Sequence, residues 1–178
     1  MHTFVIKRKV SKKFKKFIKI SAILLTIFVL FLVWYKYTFS MEVIEERSYN
    51  QDSEQESILI VSQGSEFKNK IVDGIINNFE PDGYYLKIVD ATTISETKAS
   101  DWDAILIMHT MEIWQPQADV ESFLNAQYDQ NKMIVMATSA SGEIQMEGID
   151  GFTGASVLEK VDDRVLQFSK LIQSIIEN

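Results

Sequence analysis

Residues 58–68 read Ile-Leu-Ile-Val-Ser-Gln-Gly-Ser-Glu-Phe-Lys. A short aliphatic run stops at a polar turn containing glycine. It then passes into Phe67, Ile71, Val72, Ile75, Ile76 and Phe79, which recur at helical spacing. The pattern is strand, tight loop, helix. Ala104 to Met108 and Met133 to Ala137 are apolar runs of the same kind. Such runs, without alternation, mark strands covered on both faces, hence a parallel sheet beneath helices. Tyr84 to Val89 is more mixed, with Lys87 inside it, and suits an edge strand. Gly148 to Phe152 reads as a short fifth strand.

Further helical stripes lie between and after these runs. Val120, Phe123 and Leu124 follow Pro116, and Leu158, Val161, Val165, Phe168, Ile172 and Ile175 form the last one. Glu80-Pro81-Asp82-Gly83 is a turn. The connection Thr92 to Asp101 is too short for a full helix. The order β-α-β-(short)-β-α-β-β-α predicts a three-layer α/β domain over residues 57–178.

Upstream, Ile20 to Tyr35 carries no charge and is strongly apolar; counted from Phe17 it gives 19 residues and includes Lys19. That length spans roughly the 30 Å core of a bilayer. The Lys19 stem can snorkel, and Trp34, Tyr35 and Tyr37 fall where an aromatic belt lies. The run exceeds the roughly 7–15 residues of a signal-peptide core, and no small-x-small cleavage site follows it. We therefore expect a transmembrane signal anchor over residues 17–37, after a basic cytoplasmic tail over residues 1–16. Eight cations precede the helix and Lys36 alone follows closely, which predicts the N-terminus in the cytoplasm and the C-terminal domain outside. Residues 38–56 are polar, without alternation or stripe, and are expected to form a stalk with a reach of roughly 20–25 Å.

Charge is sorted along the chain. No acidic residue precedes Glu42; residues 42–178 hold all 25 acidic residues and nine of the 18 basic ones, a formal charge of −16. Phosphate backbones repel such a domain, so nucleic acid is not an expected partner. With no cysteine, the chain forms no disulfide, thiolate metal site or cysteine nucleophile. It also lacks a Walker loop, an HExxH zinc pair, an EF-hand loop and a Gly-x-Ser-x-Gly elbow.

The segments 58–68, Asp101 to Met108, Lys132 to Ser139 and Ile149-Asp-Gly-Phe-Thr-Gly-Ala-Ser156 together resemble the flavodoxin-like fold over roughly residues 57–177. That resemblance implies strand order 2-1-3-4-5 and a ligand edge at the C-terminal strand ends. The edge loops are then Ser62–Ser65, His109–Gln115 and Thr138–Glu143. Flavodoxins place the FMN phosphate on the first and flank the ring with the other two. Their Thr/Ser-x-Thr-Gly-x-Thr loop is represented by a degenerate Ser62-Gln63-Gly64-Ser65. The cofactor-binding residues so implied are Ser62, Gly64, Ser65, Thr110, Trp114, Ser139 and Ser141, with Trp114 either stacking on a planar ring or covering the core edge.

Asp150-Gly151-Phe152-Thr153-Gly154-Ala155-Ser156 also looks like the motif at which extracytoplasmic FMN-binding domains receive a flavin by a phosphoester bond, with Ser156 as acceptor. The competing structural reading makes Ser156-Val157-Leu158-Glu159 a capping box for the last helix. His109, with Glu112 nearby, is read either as an acid or base or as a structural histidine at a buried strand's end, and an anchored hydrolase using Ser139 or His109 is a third, less supported reading. The two main expectations are a membrane-anchored FMN electron-transfer module, and a cofactor-free scaffold that contacts membrane or envelope proteins through the same edge. A redox carrier or binding domain is expected ahead of a catalyst.

Overall fold

The computed structural model describes residues 11–39, 43–112 and 114–177, in two compact units divided after Ser40. The first unit is helix α1, Lys12–Phe39, whose apolar side chains between Phe14 and Trp34 are exposed. Among the described residues it is the one helix long and apolar enough to cross a membrane. It begins inside the segment expected as a basic tail, so Lys12 to Lys19 lie on its first turns.

The second unit is a six-stranded sheet between helices. The strands are β1 (Arg47–Tyr49), β2 (Ser57–Ser62), β3 (Tyr85–Asp90), β4 (Ala104–Thr110), β5 (Met133–Thr138) and β6 (Phe152–Gly154). The spatial order is β1-β3-β2-β4-β5-β6. Strands β2 to β6 are parallel, and without β1 they stand in the doubly wound order 2-1-3-4-5. Their side chains alternate between two cores. Ile58, Ile60, Leu106, Met108, Ile134 and Met136 pack against α2 (Glu66–Phe79) and α4 (Val161–Ile176). Leu59, Val61, Ile105, Ile107, Met133 and Val135 pack against α3 (Ala118–Gln127) and Ile94. Between β3 and β4 the chain makes only two 3-10 turns, Ala91–Glu96 and Ala99–Asp101.

The structure departs from the sequence reading in three places. Part of the polar segment expected as a stalk is folded: β1 pairs antiparallel with β3, Arg47 opposite Ile88 and Tyr49 opposite Leu86. Ile44 just before it is buried, its N–H donating to Asp90 Oδ2 at 2.9 Å. The last strand lies later than the expected Gly148–Phe152, because Gly148 has a φ of +76° and residues 148–151 form the approach to it. Gly151 there passes so close to Val135 that an added Cβ would stand 2.9 Å from its carbonyl oxygen. The capping box is not formed: α4 starts at Val161, preceded by a 3-10 turn at Leu158–Lys160 that has no side-chain cap, and Ser156 lies outside the helix, exposed.

Candidate functional site

Parallel packing brings the C-terminal ends of β2, β4 and β5 to one edge, where three loops meet. Ser62 ends β2 opposite Asp90 and Met108. Its hydroxyl is buried with no hydrogen-bond partner among the described residues. Gln63 is buried and links two loops. Its N–H donates to Met108 O (3.0 Å), its side-chain oxygen accepts from Thr110 N (2.9 Å), and its side-chain nitrogen donates to Glu112 Oε1 (3.3 Å). Gly64 is buried beside it. Ser65 is the N-cap of α2, its hydroxyl oxygen accepting from Lys68 N at 3.3 Å.

Lys68 is the charged residue that sequence reasoning passed over. Its side chain is fully buried and Nζ donates to Thr110 Oγ1 at 2.6 Å. Thr110 Oγ1 lies 3.2 Å from Thr138 Oγ1, which donates onward to His109 O at 3.2 Å. The result is a buried relay that starts at an ammonium and ends at a backbone carbonyl. Desolvation pushes the Lys68 pKa down from 10.5 to about 8, partly offset by the attraction of Glu112. The signal was present in the sequence: Lys68 sits four residues before Val72 and seven before Ile75, inside the apolar stripe.

After β4 the chain folds into a tight hairpin. Glu112 and Gln115 exchange backbone hydrogen bonds of 2.8 and 3.0 Å, and Trp114 between them is 75% exposed with a φ of +69°. A bulky residue at positive φ is uncommon and strained. Trp114 lines a crevice of about 300 Å³ with Met111, Pro116, Leu124, Met146 and Ile149. After β5, Ser139 N donates to Gly154 O and the Ser139 hydroxyl accepts from Gly142 N at 3.0 Å. Gly142 (φ +74°) is fixed by backbone proximity, since a Cβ would stand 2.7 Å from Ala155 N. Ser141 is exposed, its hydroxyl accepting from Glu143 N.

The structure therefore gathers Ser62, Gly64, Ser65, Thr110, Trp114, Ser139 and Ser141 at the ends of β2, β4 and β5 and in the loops that follow. Asp150 and Ser156 flank β6, which runs extended between them. Asp150 N donates to the Tyr128 hydroxyl at one end of that strand, and Ser156 follows its other end. His109 does not pair with Glu112. Its ring nitrogens face Thr110 O and Met146 Sδ, while Glu112 accepts from Gln63. Burial lowers the His109 pKa to about 4. Among the described residues no three His, Cys, Asp or Glu side chains cluster as metal ligands.

Compared with solved structures, the chain is similar to the Flv1 flavodiiron core from Synechocystis, with a TM-score of 0.54 at 13% identity over 71% of this chain. The fold is flavodoxin-like. The match spans 37% of that flavodiiron chain. A flavodoxin from the domain Archaea aligns at a TM-score of 0.46 and 10% identity, covering 67% of this chain and 98% of its own. A flavodoxin of Streptococcus pneumoniae aligns at 0.48 and 14%, covering 66% and 97%. No family model matches the sequence, and no curated protein matches it. Against the flavodoxin-like frame, this unit adds the antiparallel β1 outside β3 and replaces the helix between β3 and β4 with 3-10 turns.

Proposed function

We propose that this chain is a single-pass membrane protein whose extracytoplasmic flavodoxin-like unit holds FMN non-covalently at the C-terminal sheet edge and acts as an electron carrier. The observation that supports this best is the crevice of about 300 Å³ with the exposed Trp114 indole at its wall. An indole so placed offers a face to a planar aromatic ring. On the flavodoxin-like pattern the phosphate end would fall on the loop between β2 and α2. There the first turn of α2 presents its N–H groups above the buried Lys68 ammonium and the buried Ser62 hydroxyl, which has no partner among the described residues. Glu66, the anion in that turn, is exposed and drawn to Lys70 at 2.9 Å. Bound FMN supplies the one- and two-electron chemistry; the protein's own residues bind it, orient it and limit water. Helix α1 and the lopsided distribution of cations around it support the anchor and its orientation.

The test is titration of the full chain in detergent micelles with FMN, followed by flavin and tryptophan fluorescence. Saturable one-to-one quenching is expected. Trp114→Ala should weaken it about fivefold, the loss of roughly 1 kcal/mol of stacking. A protein that leaves FMN fluorescence unchanged refutes the flavin reading and leaves the scaffold reading, in which the same edge contacts a membrane or envelope protein. Paired C-terminal fusions to alkaline phosphatase and to a cytoplasm-dependent fluorescent protein check the topology independently.

A further inference from the structure

His109 is wholly buried at the end of β4. Its Nδ1 lies 3.4 Å from Thr110 O and its Nε2 lies 3.1 Å from Met146 Sδ. Both neighbours are acceptors. A neutral imidazole has one N–H and one lone pair, so one contact is a hydrogen bond and the other sets lone pair against lone pair. A second proton would satisfy both, but only as a charged ring held wholly out of water. A metal ion satisfies both as well. With Nδ1–H donated to the Thr110 carbonyl, the Nε2 lone pair is turned toward the thioether sulfur. A carbonyl that accepts the other ring N–H is the usual support of a metal-bound histidine. With bonds of roughly 2.0 Å to nitrogen and 2.3 Å to sulfur, as at zinc, atoms 3.1 Å apart can share one ion. Met111, another thioether, lines the same crevice as Met146 and lies two residues after His109.

We infer that His109 and Met146, with Met111 at the adjoining crevice wall, form a site for a soft monovalent metal ion of the copper(I) class. The donor set is one neutral imidazole and thioethers, with no thiolate or carboxylate. Thioethers select soft ions, whereas magnesium, calcium and manganese take oxygen ligands. The site shares the Met111 and Met146 wall of the crevice given to the flavin, but it does not rest on the flavin reading and is tested without flavin.

The experiment uses the full chain in detergent micelles with His2→Ala, which removes the only other histidine. Copper(I) is offered from its bathocuproine disulfonate complex, and silver(I) is titrated in parallel while the His109 ring nitrogens are followed by 15N NMR. Uptake of one equivalent is expected, with Nε2 shifting and Nδ1 remaining protonated. Met146→Leu and Met111→Leu, both close in volume, should each raise the dissociation constant at least tenfold. Met133→Leu, buried at the opposite end of β5, should leave it unchanged. No one-equivalent uptake, no shift at Nε2, or undiminished affinity in a folded Met146→Leu protein would each overturn the assignment.

Discussion

Replacing Lys68 with methionine should make the flavodoxin-like unit more stable at neutral pH, although it deletes a hydrogen bond. The ammonium is fully buried, and burial lowers its pKa from 10.5 to about 8. Two and a half pH units correspond to about 3 kcal/mol of destabilisation of the charged form relative to the unfolded chain. Methionine keeps the aliphatic stem and the helix propensity of α2. It loses the 2.6 Å bond to Thr110, worth about 1 kcal/mol. The net gain is roughly 2 kcal/mol at pH 7. Its pH dependence is the diagnostic part. Below pH 8 the lysine is protonated in both states and the full penalty is present. Between pH 8 and 10.5 the unfolded chain keeps a proton that the folded one has released, so wild-type stability rises with pH. Above 10.5 the penalty is gone. Urea unfolding monitored by near-ultraviolet circular dichroism, for wild type and Lys68→Met side by side from pH 7 to 10.5, reads this directly. A difference between the two that does not change with pH would refute the claim that a desolvated ammonium lies under the loops. If the flavin reading holds, the same substitution weakens FMN binding, so stability and affinity move in opposite directions.

Ile44→Ala should cost about 2–4 kcal/mol in the same unfolding assay, because a buried side chain is lost next to β1; a change under 0.5 kcal/mol would restore the stalk reading. Gly74→Ala should destabilise despite better helix propensity, since its Cβ would meet Val165 Cγ2 at 2.5 Å, and adding Val165→Ala should recover most of the loss. Asp103 accepts from the Ser57 N–H and hydroxyl, both at 2.8 Å, and its pKa is lowered first by the backbone bond. Its contribution to stability is present above the unfolded value of 3.8 and disappears as pH falls below it, so the wild-type advantage over Asp103→Asn should vanish in acid melts.

How far the sequence revealed this structure depended on how much each element relies on burial. Strands β2, β4 and β5 are covered on both faces, so their apolar runs identified them without help. Ser65 was legible as a helix start, a hydroxyl residue just before an apolar stripe. Strand β1 left almost no trace. Three residues of an edge strand need no alternating pattern, and its hold comes from Ile44, a pairing with β3 and the Arg47–Asp73 contact, all long-range in sequence. The start of α4 was misjudged because Ser-x-x-Glu is a local signal, whereas tertiary packing of Val161 and Phe168 decides where the helix can begin. At the candidate site, loop positions followed from topology alone. The relay from Lys68 through Thr110 to Thr138 did not, because it joins residues 42 and 28 positions apart. The left-handed Trp114 was invisible for another reason: nothing in its residue type announces that conformation.

Both outermost strands, β1 and β6, are only three residues long. An open strand edge is a template on which another chain can add a strand. Here the long parallel strands are all interior, and β1 is further bracketed by the Glu46–Lys87 ion pair. Under the proposed anchor, which would hold copies on a two-dimensional surface where neighbours collide far more often than in dilute solution, that construction matters. Copies crowded there would present each other with three-residue margins, too short to extend one sheet into the next.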